Sequence, residues 1–168
     1  MRVLPFAALS TAVVTVPLIA VSGAVPSVAQ SALPPILVEE LTPRSSVPDQ
    51  VSLQLRIKHD GQPTRVVRAD PSRVVVARIT VQPGAQFPLH THPGPVVVNV
   101  VRGELTYVDP DSCQERVYRA GTAFTDSGSD VHTAYGSSSQ VTELMATFFG
   151  APATGPLTVR EPVQTTTC

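Results

Sequence analysis

The chain reads as an all-β barrel of short antiparallel strands. Three observations predict this. Apolar and polar residues alternate with a strict period of two in several stretches, as in Val51, Leu53, Leu55 and Ile57 set against Ser52, Gln54, Arg56 and Lys58. Turn residues punctuate the chain at short, regular intervals, the signature of a sandwich or barrel. No stretch combines helical periodicity with helical length.

Each element follows from its own residues. Residues 30–50 are rich in Pro, Ser and acidic groups and read as a linker or irregular N-terminal arm. The alternating run at 51–58 is a strand, closed by a hairpin-type turn at Asp60-Gly61 and answered by a short return strand at 64–69. A further strand at 74–81 places Val75, Ala77, Ile79 and Val81 on one face, and Pro83-Gly84 ends it. Strands are then expected at about 86–91, 95–102, 104–109, 115–119, 122–125, 131–135 and 141–149. The turn signals between them are Pro93-Gly94-Pro95, Arg102-Gly103, Pro110-Asp111, Gly121 and the segment 127–130. The barrel domain is thus expected at 51–150. Residues 151–168, with Pro152, Pro156 and Pro162, read as an extended tail.

The first 29 residues read as a removable leader. Arg2 is the only charge before Glu39, an apolar run from Val3 to Val21 follows it, and small residues come next. Cleavage after Ala29 is the favoured site and after Ala24 the second. The alternative is a retained membrane anchor, since the run approaches the length of a span; Pro5, Pro17 and the weakly apolar Ala, Ser and Thr content oppose it. Without residues 1–29 the chain keeps 139 residues, enough for one domain, with 11 basic and 13 acidic side chains. Near-neutral, scattered charge gives no electrostatic footprint for nucleic acid. It provides no basic cluster beside a membrane either.

Both cysteines, Cys113 and Cys168, would then lie outside the cytoplasm. An even count in an oxidising compartment favours a disulfide. It would tie the C-terminal tail to the turn at 109–113, and a loop of that size is worth about 4 kcal/mol on a chain-entropy model. Two free thiols, or an intermolecular link through the terminal Cys168, are the alternatives. The spacing matches no metal-binding cysteine pattern.

Chemistry is concentrated in the histidines. The chain has four, and three fall into one pattern: His90-Thr91-His92, then His132 behind a second glycine-bounded run. Alternate residues of a strand share a face, so His90 and His92 can aim both imidazoles at one point. A third imidazole from another strand completes a three-ligand face for a divalent transition metal such as Fe, Mn, Zn, Ni or Cu. On the following strand Val96, Val98 and Val100 share one face and Asn99 takes the other, so the three valines are expected to line the pocket. His59, beside a turn, is expected to be a solvated loop residue.

The spacing resembles that of the cupin family, whose first motif is G-x5-H-x-H-x3,4-E-x6-G and whose second is G-x5-P-x-G-x2-H-x3-N. Here Gly84, His90, His92 and Gly103 match the first, and Gly121 and His132 the second. The motifs cover about 55 residues, and the flanking strands carry the resemblance over most of 51–150. It implies a cupin-type double-stranded β-helix, or jelly roll, a small-molecule ligand or substrate, and pairing as a homodimer. Val96 stands where the family has a glutamate ligand, Ser127 and Ser129 where it has Pro and Gly, and Gly136 where it has Asn. Without the acid, a dication keeps its full charge and at least one open position, and can act as a Lewis acid. Within the family, three-histidine sites without the acid are similar to those of some Fe-dependent dioxygenases.

Three functions stay open on the sequence. One is an oxygenase-like enzyme acting on a small organic substrate, for which no general acid or base is obvious beside the trio. Another is a non-catalytic cell-envelope module that captures a metal or small ligand. The last is a barrel with vestigial histidines. Asp126 and Asp130, flanking the loop before His132, could orient a ring, but the more usual role of such residues is capping loop amides. Tyr107 and Tyr135 are expected to pack in the core or on the surface, and Glu104 to be exposed.

Overall fold

The computed structural model describes residues 34–59, 62–69 and 72–162. The expected leader with its cleavage sites, the Asp60-Gly61 turn and Cys168 lie outside the described residues. Thirteen strands and no helix occur among those described. They are β1 (Ile36–Glu40), β2 (Ser45–Ser46), β3 (Leu53–Ile57), β4 (Arg65–Ala69), β5 (Arg73–Val81), β6 (His90–Thr91) and β7 (Val96–Arg102). β8 (Glu104–Asp109), β9 (Gln114–Arg119), β10 (Ala123–Asp126), β11 (Thr133–Gly136), β12 (Thr142–Phe149) and β13 (Val159–Arg160) complete them.

All pairings are antiparallel. One sheet runs β1-β5-β12-β7-β10, with β2 also on β5. The other is built from β11-β8-β9 and β13-β6, joined by isolated bridges at Gln86–Tyr135 and His90–His132. β3 and β4 form a separate hairpin. Two antiparallel sheets whose neighbours are mostly non-consecutive strands make a jelly roll. This is the fold class expected from the residues.

The sheets meet over one core. Val75, Ala77, Ile79 and Val81 of β5 are buried, as are Val96, Val98 and Val100 of β7 and Leu144, Ala146 and Phe148 of β12. Leu105 and Ala134 approach from the opposite sheet. Each fully buried valine or leucine contributes about 1.5–3 kcal/mol relative to exposure, so the period-2 pattern pins the register. Asn99 is exposed, as its alternation requires. Gly103, at the β7–β8 turn, has φ +74°, and a Cβ there would lie 2.8 Å from the Thr142 hydroxyl oxygen. Only glycine meets both conditions without strain.

Three boundaries differ from expectation. The segment expected to be an irregular arm contains β1 and β2, both laid along β5. Its Pro and Ser content hid strands that Ile36, Leu37 and Val38 begin. The segment 86–91 is strand only at His90–Thr91, because Pro88 can give no ladder hydrogen bond. The expected tail returns to the barrel: β13 pairs with β6, and Leu157 is buried.

Candidate metal centre

Backbone pairing sets the three histidines. The His90 N–H donates to the His132 carbonyl at 2.9 Å, and the His132 N–H donates back at 3.0 Å. This bridge joins two chain segments forty residues apart and brings the ring centroids to 4.2 Å. The His92 N–H donates to the Gly128 carbonyl at 2.7 Å, and its ring lies 4.8 Å from His90 and 5.2 Å from His132. One nitrogen from each ring falls within 4.8 Å of the others. No other such cluster of His, Cys, Asp or Glu occurs among the described residues.

The second nitrogens are all anchored. Nδ1 of His90 lies 2.8 Å from the Pro88 carbonyl, that of His92 2.9 Å from Leu157, and that of His132 2.9 Å from Asp130. A carbonyl only accepts, so each Nδ1 carries the proton and donates. Each Nε2 is left with a lone pair, which is the state a metal needs. Burial lowers the pKa of all three rings, and a neighbouring imidazole pushes each of them further down. The rings are therefore neutral, and the donor set fits a divalent transition metal.

Asp126 and Tyr107 complete the wall behind His132. Asp126 is 3% exposed. Its Oδ1 accepts the Gly128 N–H at 2.6 Å, and its Oδ2 accepts the Tyr107 hydroxyl at 2.8 Å. The same Oδ2 lies 3.4 Å from His132 Nδ1. Asp126 thus both caps its loop and faces a ring, so the two roles weighed from sequence coexist. Tyr107 packs in the core as expected, and its ring stacks on His132 at 4.7 Å and 14°. Burial, then the Asp126 carboxylate, drives the Tyr107 pKa far up, so the phenol stays protonated.

Asp130 contributes its backbone, while its carboxylate pairs with Arg65. Tyr135 donates to Glu115 on the surface, away from the rings. His59 is half-buried in a separate polar cavity and does not join the cluster. Glu104 is half-exposed rather than free in solvent, and pairs with Arg119 at 3.6 Å. Cys113 sits in an exposed turn with φ 53°; its expected partner Cys168 is outside the described residues.

The rings face a cavity of about 340 Å³. Val96 and Val98 line it as expected. Val100 does not; it is buried in the core, further along β7. Val96, at 1% exposure, places hydrocarbon where the cupin motif has its acid. Three features of the site had no sequence signal: the main-chain carbonyls of Pro88 and Leu157, the Tyr107 stack, and the return of 155–158 to the cavity wall.

No family model and no curated protein matches the sequence. Among solved structures, the chain is similar to an oxalate oxidase in complex with the substrate analogue glycolate. The two are 24% identical over 46% of this chain and 42% of that one, with a TM-score of 0.40. The chain thus spans less than half the length of the oxalate oxidase. It is also similar to the polyketide cyclase RemF from Streptomyces resistomycificus, at 19% identity over 70% of this chain and 75% of that one, TM-score 0.46. An RmlC-like cupin from Shewanella frigidimarina is 28% identical over 46% and 67%, TM-score 0.40. The sheet order and the site define an all-β jelly-roll protein with a three-histidine cluster suited to a divalent metal.

Proposed function

We propose that this chain is an exported metal-binding cupin-type protein. His90, His92 and His132 hold one divalent transition metal, and an open position on that metal faces a cavity for a small organic ligand. The observation that carries this is the anchoring of all three Nδ1–H groups on main-chain carbonyls, which turns the free nitrogens inward. Three neutral buried rings packed together without a cation would gain nothing from such uniform orientation. When bound, the metal supplies Lewis acidity at the cavity floor. The chain's own residues fix the rings and line the cavity mostly with apolar side chains.

In its catalytic form the reading is an oxygenase-like reaction on the bound ligand. A second reading, a non-catalytic module of the cell envelope, is favoured by the pairing of the charged groups that line the cavity: Glu40 is engaged by Arg44. Elemental analysis of gently purified native protein tests the shared core of both readings. One equivalent of a transition metal per chain is expected, and metal-free protein that takes up none of Fe, Mn, Zn, Ni or Cu would refute it. Oxygen consumption by the loaded protein with a bound ligand then separates the enzyme from the module.

Export and the Cys113–Cys168 disulfide belong to the same proposal, as does pairing into a homodimer. Intact-mass measurement of protein recovered from the culture medium or envelope checks the first two together. The expected species lacks residues 1–29 and gains two hydrogens in mass on reduction.

A further inference from the structure

The chemistry of the cavity walls narrows the ligand. Phe87, Phe124, Phe148, Val96, Leu144 and Leu157 surround the space above the imidazoles. The charged lining groups among the described residues are Glu40 and Arg44, and they serve each other. Arg44 Nη2 donates to Glu40 Oε1 at 2.8 Å and its Nε to Oε2 at 3.4 Å. The same guanidinium also donates to the Pro152 and Gly155 carbonyls, at 2.8 and 2.7 Å. Arg44 is thus committed to tying the 152–155 segment to the N-terminal strand region, and has little left to hold an anion. Close to the rings the acid is Asp126, beyond His132.

A dication held by His90, His92 and His132 would have no anionic ligand from the chain itself, and the cavity walls around it are largely apolar. An anionic oxygen on a bound ligand would supply one. A second charge held away from the metal would face hydrocarbon with no donor, which is costly. We infer that the cavity takes an organic monoanion with an apolar body: an oxyanion on the metal, and an aromatic ring or branched chain against the phenylalanine and valine walls. This rests on the metal-binding reading above and names its ligand class. A dianion whose second charge lies across an aromatic ring from the first, and so away from the metal, is disfavoured by the same walls.

Copper(II)-loaded full-length protein provides the test, read by the copper visible band and electron paramagnetic resonance. The ligands are acetate, phenylacetate, the dianion 1,4-phenylenediacetate and the uncharged phenylacetamide, with ultrafiltration to show that copper stays on the protein. Phenylacetate is expected to bind about ten-fold or more tightly than acetate, because its ring leaves water. 1,4-Phenylenediacetate should bind more weakly than phenylacetate, and phenylacetamide should leave the copper spectrum unchanged. 1,4-Phenylenediacetate matching phenylacetate, or phenylacetate binding no better than acetate, overturns the ligand class while leaving the metal site standing. Failure to take up copper or any of the other metals removes the metal reading and this inference with it.

Discussion

A His90→Ala/His92→Ala variant is expected to fold and to lose the metal. These two rings supply two of the three clustered nitrogens, and no other His, Cys, Asp or Glu joins the cluster among the described residues. Removing even an outer partner of a ligand costs roughly 10–100-fold in metal affinity; removing two ligands should exceed that, leaving no binding in a competition titration against a chelator. Unchanged far-ultraviolet circular dichroism shows that the barrel survives. Retained stoichiometric metal in the variant would place the metal elsewhere.

The same rings give the metal-free protein a pH dependence of known sign. Burial lowers each folded pKa below the ordinary value of 6.5. Between the folded and unfolded values the unfolded chain binds more protons, so stability falls as pH falls. Above 6.5 both states are neutral at these groups and the term is flat. Chelator-treated wild type should therefore lose thermal stability as pH drops through 6.5. The double variant should show a shallower loss over that window, because two of the three groups are gone.

Gly128→Ala is expected to be strongly destabilising. Gly128 has φ +90°, and a Cβ there would lie 2.5 Å from both the carbonyl carbon and the oxygen of Gly94. Both contacts are with backbone, so no side chain can swing away. Left-handed strain alone costs about 1–3 kcal/mol, and the steric overlap adds to it. A destabilisation of about 3 kcal/mol or more is expected, a fall in Tm on the order of 10 °C. The Gly128 carbonyl also accepts the His92 N–H. Displacing the loop therefore moves a ligand, and metal affinity should drop in whatever fraction folds. Gly94→Ala, whose Cβ would lie 2.3 Å from the Phe149 carbonyl oxygen, should also be damaging, because that contact too is with backbone. Wild-type stability in both variants would mean that the loops do not meet as described.

This glycine also marks a limit of reading by motif. The spacing places the second glycine of the second motif at Ser129, where the chain has none. The structure puts the tight approach one residue earlier, at Gly128, between two chain segments that meet only once the barrel closes. The motif departure is real at Ser129, and the adjacent Gly128 has a steric need for glycine of its own.

Val96 shows the complementary case. Alternation on β7 placed Val96, Val98 and Val100 on one face, and all three are buried. Which of them reaches the cavity depends on distance along the strand from the histidines. Val96 and Val98 do; Val100 packs into the core instead. Periodicity assigns a face, not a depth.

The sequence by itself determined the fold class, the faces of β5 and β7 and the identity of the three clustered rings. These depend on the period of side-chain direction along a strand and on turn residues, both local properties. Only the tertiary structure decided how the rings are held. The Pro88, Leu157 and Asp130 carbonyls are main-chain groups that any residue could supply, so no side chain announces them. The Tyr107–Asp126 pair and the returning segment at 155–158 join residues distant along the chain, and their roles exist only where the strands bring them together.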